Sequence, residues 1–166
     1  MRPIQNPERD SADYNCYGCA PHNPRGLQME FHEDGNEIVS FWKPHPDFQS
    51  YNNILHGGIQ AALFDELACW ILMVKAGSAG LTQKLEITYH CPVFLTNGEI
   101  TLRGRIASHE GHHVTVTAEM TDAAGHQRSS ALVSFLLYPE KMARQRLHYP
   151  GHEKFSEQPV DGSTPQ

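Results

Sequence analysis

The sequence predicts an α+β domain: one antiparallel sheet of about six strands, in the order β-β-α-β-β-β-β, wrapped around a single long helix. Three observations predict it. Residues 57–75 are apolar nearly all round a helical wheel, as in a helix with neighbours on every side. Four runs after it alternate apolar and polar residues with period two, the mark of strands with one buried face. Those runs are joined by "TNG", "HEG" and "DAAG", short Gly-bearing connections that suit antiparallel neighbours. A sheet curled around the helix buries both in one pair of layers.

Residues 1–26 are rich in Pro, Asn and Gly, lack periodicity and read as a loop segment. "LQMEF" and "NEIVSFWK", split by "HEDG", predict a strand, a turn and a strand. Pro44 and Pro46 keep "KPHPDFQSYNN" out of any ladder. The helix runs from about Gly57 to Lys75, where "AGSAG" stops it. Ile59, Ala62, Leu63, Leu67, Trp70 and Val74 share one face, and Phe64, Ala68, Ile71 and Leu72 cover much of the rest. In the strands that follow, one face carries Leu85, Ile87 and Tyr89, then Ile100, Leu102 and Ile106, then Val114, Val116, Ala118 and Met120. "SSALVSFLLY" is apolar on both faces, as expected of a central strand. The single domain is placed at 27–139, and the polar stretch 140–166, with Pro150, Pro159 and Pro165, reads as a flexible tail.

Composition excludes some functions. A formal net charge of -6, from 13 basic and 19 acidic residues, argues against a nucleic-acid binder, which needs a basic face. The longest continuous apolar run, "LACWILMV", is far shorter than the roughly 20 residues that span a bilayer. "MRPIQNPERD" has no apolar run behind its Arg, unlike a secretory signal. The expectation is a soluble cytoplasmic protein with Cys16, Cys19, Cys69 and Cys91 reduced, and with neither nucleic acid nor membrane as partner.

Against that background Asp65 and Glu66 stand out, because an unpaired charge inside a surrounded helix is costly to bury. The stretch that holds them, "NILHGGIQAALFDELACW", opens on His56-Gly57-Gly58 and places Asp65, in "LFD", nine positions after the His. In "TQKLEITYHCPV", Thr82 lies seven residues before Tyr89, and "NCYGCAPHNPRGL" holds a Cys-x-Gly-Cys opening. These features resemble the hotdog-fold acyl-CoA thioesterases, particularly the phenylacetyl-CoA-type branch. The resemblance covers roughly residues 15 to 138. It implies an acyl-CoA or related acyl-thioester substrate, no cofactor, and a homodimer that pairs again as a homotetramer.

Thioester hydrolysis needs an activated water or a nucleophile, together with donors for the oxyanion. Asp65 is suited to act as base or nucleophile, since a desolvated carboxylate is a stronger base than one in water. Gly57 and Gly58, at the helix start, offer backbone N–H groups where the dipole favours negative charge. His56 is a candidate for orienting the thioester or the loop, and the resemblance implies that Thr82 holds the attacking water. Glu66 competes with Asp65 for the acid's role, some members of the fold using a Glu on this helix, and needs a buried partner such as Tyr89. Asn52, Asn53, Gln60, Arg103 and Arg105 are the candidate substrate-binding residues, the two Arg because the turn "SHEGHHV" has no Lys or Arg for CoA phosphates. CoA and carrier-protein thioesters both remain open.

Helix geometry adds a constraint. From position 56 to position 65 a helix rises roughly 13 Å and turns about 900°, so Asp65 and the Gly57 amide cannot flank one carbonyl within one chain. The site is expected to be shared between subunits, and the resemblance implies the same across a two-fold dimer. Cys16, Cys19 and His22 have the spacing of metal ligands, but a structural zinc wants four and no fourth is near, so no metal is expected. The His-rich turn around His109, His112 and His113 reads as exposed surface. Two other functions stand beside hydrolysis: an acyl-thioester dehydratase or hydratase of the same fold, and a non-catalytic acyl-binding dimer.

Overall fold

A computed structural model describes residues 1–156. Its centre is α1 (Gly57–Lys75), within the limits that the sequence predicts. Before it come β1 (Arg2–Pro3), β2 (His32–Asp34) and β3 (Glu37–Trp42). After it come β4 (Gly80–Tyr89), β5 (Ile100–Glu110), β6 (His113–Thr121), β7 (Gln127–Leu137) and α2 (Glu140–Leu147). The seven strands form one antiparallel sheet in the order β1-β2-β3-β5-β6-β7-β4.

The sheet wraps α1 because β5, β6 and β7 turn alternate apolar residues to one side. Ile100 and Leu102 of β5, Val114, Val116, Ala118 and Met120 of β6, and Ala131, Val133 and Phe135 of β7 are buried in the same cluster as Leu63, Phe64, Leu67 and Ile71 of α1. By length and composition α1 would suffice to cross a membrane. Here most of that apolar surface is covered by the sheet, the packing expected of a helix apolar nearly all round. The outward residues of β7 are less covered, and Leu132 is exposed, so only one face of this strand is core.

Three expectations need correction. "LQMEF" is not a strand, and β2 lies one step on, where "HEDG" reads as a turn. The alternation itself holds, since Leu27, Met29 and Phe31 are buried. Their ladder partner is the N-terminal loop: Leu27 N–H donates to Tyr17 O and Met29 N–H to Gly18 O. That loop segment also supplies β1 to the sheet edge. Finally, the chain does not leave the fold at Glu140. α2 forms there, and Ala143, Tyr149 and Phe155 are buried, with Phe155 edge-on against Trp70 of α1. Residues 157–166 of the expected tail lie outside the described residues.

β4 is the last strand of the sheet, hydrogen-bonded on one side only, to β7. It is ten residues long and exposes Leu81 and Tyr89. A long edge with apolar side chains is a template for pairing with another strand.

Candidate functional site

α1 begins on a cap that its own sequence builds. His56, with φ -61° and ψ 133°, is the N-cap, and its Nδ1 accepts from the Gly58 N–H at 2.9 Å. A Cβ on residue 58 would lie 3.0 Å from that Nδ1, so Gly58 leaves room for the imidazole. The Gly58 N–H is therefore engaged, whereas the Gly57 N–H has no acceptor among the described residues. Since Nδ1 accepts, the neutral His56 ring carries its proton on Nε2. The Tyr89 hydroxyl, at the end of β4, donates to Gly57 O at 2.9 Å and so ties the edge strand to the helix start. Beside them is a groove of about 370 Å³, lined by Tyr51, Leu55, Gly57, Gln60, Tyr89 and Cys91 among others.

Asp65 lies two turns further along α1, half-buried, and its Oδ1 accepts from Thr82 Oγ1 at 2.8 Å. Thr82 is on the exposed edge strand, so the pair sits where α1 meets the open side of the sheet. Cys69, one turn on, is close enough to both for burial and the Asp65 charge to push its thiol up.

Glu66 turns elsewhere. Its Oε1 accepts from Trp70 Nε1 at 3.0 Å, and both carboxylate oxygens lie 3.7 Å from Cys16 Sγ. Tyr89, considered above as its partner, bonds Gly57 instead. Glu66 reaches the N-terminal loop because residue 18 is glycine: a Cβ there would fall 2.2 Å from its carboxyl carbon. Burial, reinforced by the Cys16 charge, pushes the Glu66 carboxyl from 4.5 up to about 7. An acid that holds its proton more tightly folded than unfolded stabilises the fold at low pH, and this contribution is lost as pH rises from about 4.5 through about 7. Thermal melting between pH 4 and 8, in reductant and chelator, is expected to show a steeper loss of Tm for the wild type than for Glu66→Gln. Equal slopes in the two proteins would contradict the buried, proton-binding carboxylate.

The remaining predicted site residues divide. Gln60 is buried at the groove, its Oε1 accepting from Ser129 Oγ at 2.9 Å. Asn53 holds two loops together: it bonds Thr96 through both side-chain atoms, and its N–H donates to Gln49 Oε1. Asn52 is exposed in the same turn. Arg103 and Arg105 are not at the helix start. They project from the face of β5 away from α1, where Arg103 pairs with Asp34 at 2.8 Å and Glu37 at 2.6 Å, and Arg105 with Glu37 at 3.2 Å. His22 is exposed and does not join Cys16 and Cys19. Tyr89 is the residue that the reading of the sequence leaves out of the site, although its spacing from Thr82 marks it.

Comparison with known proteins agrees with this fold. The family model described as the thioesterase superfamily matches residues 52–129, from the turn before α1 into β7. A crystal structure of a thioesterase superfamily protein is 24% identical with a TM-score of 0.64, over 70% of this chain and 57% of that one. This chain thus spans little more than half of that relative. A Streptococcus pneumoniae hypothetical thioesterase, crystallised with coenzyme A, is 19% identical with a TM-score of 0.61, over 68% of this chain and 90% of that one. A Streptococcus mutans protein bound to acetyl CoA is 13% identical with a TM-score of 0.64, over 79% of this chain and 98% of that one. A search of curated protein sequences finds no match. The fold is that of the hotdog thioesterases, and the family model matches the resemblance read from the sequence over residues 52–129.

Proposed function

We propose that this protein hydrolyses an acyl-CoA, or a related acyl thioester, to the free acid and the thiol. The observation that carries this reading is the Asp65–Thr82 pair, 2.8 Å apart on an open sheet edge, in a chain whose helix start offers an N–H without an acceptor. Asp65 acts as general base or nucleophile. Thr82 holds the carboxylate in place and offers its hydroxyl oxygen to the attacking water. The Gly57 N–H, with the positive end of the α1 dipole, receives the oxyanion. The Gly58 N–H contributes by holding His56, whose Nε2–H is the group that can meet the thioester oxygen. Glu66, turned toward Trp70 and Cys16, takes no part in the chemistry.

The site is shared between two subunits. Gly57 and Asp65 are about 12 Å apart along one helix, so one carbonyl cannot touch both in a single chain. Pairing of two β4 edges around a two-fold axis would bring the acid of one protomer to the helix start of the other, and would cover the exposed apolar residues of that edge. Two such dimers make the tetramer, and the assembly works in the cytoplasm on a soluble thioester. Arg103 and Arg105 are tied to acids and are not the phosphate contacts, and the groove beside Tyr89 and Gln60 receives the acyl arm.

A panel of acyl-CoAs that includes phenylacetyl-CoA, together with acyl-carrier-protein thioesters, tests this by release of free thiol. Turnover of at least one class, from a species that sediments as a dimer or larger, is the expected result. Change in enoyl absorbance without thiol release would assign the chain to hydration or dehydration. Binding without either change would assign it to acyl binding. An active monomer at assay concentration would refute the shared site.

A further inference from the structure

The mechanism leaves unused a cluster where α1 meets the N-terminal loop. Cys16 Sγ, Cys19 Sγ and a Glu66 carboxylate oxygen lie within 4.8 Å of one another, with Cys19 buried and the other two half-buried. We propose that Cys16, Cys19 and Glu66 form a three-ligand binding site for a thiophilic divalent cation, zinc(II) being the best match, with a water molecule completing the four positions.

Geometry supports it first. A tetrahedral zinc with Zn–S near 2.3 Å and Zn–O near 2.1 Å places sulfur and oxygen about 3.6 Å apart. Both Glu66 oxygens stand 3.7 Å from Cys16 Sγ. The loop is shaped for the task. The turn Cys16–Cys19 is closed by the Ala20 N–H, which donates to Cys16 O at 3.2 Å. Around the ligands, Tyr14 OH lies 2.8 Å from Cys19 Sγ, and Trp70 Nε1 donates to the Glu66 oxygen. Metal ligands are oriented by such outer hydrogen bonds.

Charge supplies the second argument. Three acidic groups share one small space, and Glu66 forms no ion pair with any Lys or Arg among the described residues. Such a cluster either keeps its protons or gives them up to a cation. A Cys16–Cys19 disulfide would consume both thiols and leave Glu66 with Trp70 alone. The sequence suggests His22 as the third ligand of this loop. The structure puts Glu66 in that place, fifty residues away in the chain and next to Asp65, where the spacing of a local motif cannot show it.

Zinc(II) alone is the probe. The full chain, reduced and stripped with a chelator, is titrated with zinc(II) against a chromophoric competitor, and the bound metal is counted by elemental analysis. The expected result is one zinc per chain with a dissociation constant below about 1 µM and release of protons on binding. Cobalt(II) in its place should give a thiolate-to-metal charge-transfer band and the intense visible bands of a four-coordinate ion. Cys16→Ser and Cys19→Ser should each abolish that band, Glu66→Gln should weaken zinc binding at least about 10-fold, and His22→Ala should change nothing. Should the cysteine variants fail to fold, the cobalt spectrum of the wild type still decides. Substoichiometric zinc, a cobalt spectrum without the charge-transfer band, or unchanged binding by the folded double variant Cys16→Ser/Cys19→Ser would each overturn the site. So would a Cys16–Cys19 disulfide whose reduction restores no zinc binding.

Discussion

Asp65→Asn is expected to lower kcat for the best thioester substrate at least about 100-fold while KM changes little. The substitution keeps the shape and leaves an oxygen for Thr82 Oγ1, so the 2.8 Å contact between α1 and the edge strand can persist. What it removes is the basicity that water activation or nucleophilic attack requires. Binding belongs to the groove near Tyr89 and Gln60, on different turns of the helix, hence the small effect on KM. Glu66→Gln serves as the control. Its carboxylate is engaged by Trp70 and the N-terminal loop, and its replacement is expected to cost less than about tenfold in turnover. The reverse order, with Glu66→Gln folded but inactive and Asp65→Asn active, would move the chemistry one residue along. Full activity in both would remove the helix carboxylates from the mechanism.

Legibility in the sequence follows the range of the interaction. The limits of α1 are readable because Gly57-Gly58 and "AGSAG" bracket an unbroken helical period, and the hydrogen bonds it needs are local. The strands β5, β6 and β7 are readable because alternation reports burial whatever the partner. The same alternation in "LQMEF" gives the right buried residues and the wrong ladder, since its partner is the loop at Tyr17 and Gly18. α2 escapes notice because "EKMARQR" buries only Ala143, and the docking depends on Tyr149 and Phe155 beyond it. At the site, spacing places Asp65, and with Thr82 it brings out a contact across seventeen residues. Spacing cannot say which acids face Arg103 across the sheet, nor that Gly18 clears a path for Glu66 to Cys16.

Gly57→Pro is expected to leave the fold intact and lower kcat about 100- to 1,000-fold, the usual loss for one oxyanion donor. Proline is tolerated at the first position of a helix, and His56 already has the extended backbone that a residue before proline prefers. The substitution deletes the N–H that has no acceptor and alters little else. The nearest atom to a Cβ on residue 57 is the Tyr89 hydroxyl, 3.3 Å away on an exposed ring that can shift. Mixing then tests whether the site is shared. If Asp65 and Gly57 act from different subunits, a dimer of one Asp65→Asn chain and one Gly57→Pro chain has one site with both lesions and one with neither. Free exchange of equal amounts makes half of the dimers mixed, so the two nearly inactive proteins together should recover about a quarter of wild-type activity. If both residues served one site within a chain, every site in the mixture would carry a lesion and nothing would be recovered. Absence of recovery, with subunit exchange shown by a label on one chain, would therefore refute the two-subunit site while leaving the role of Asp65 untouched.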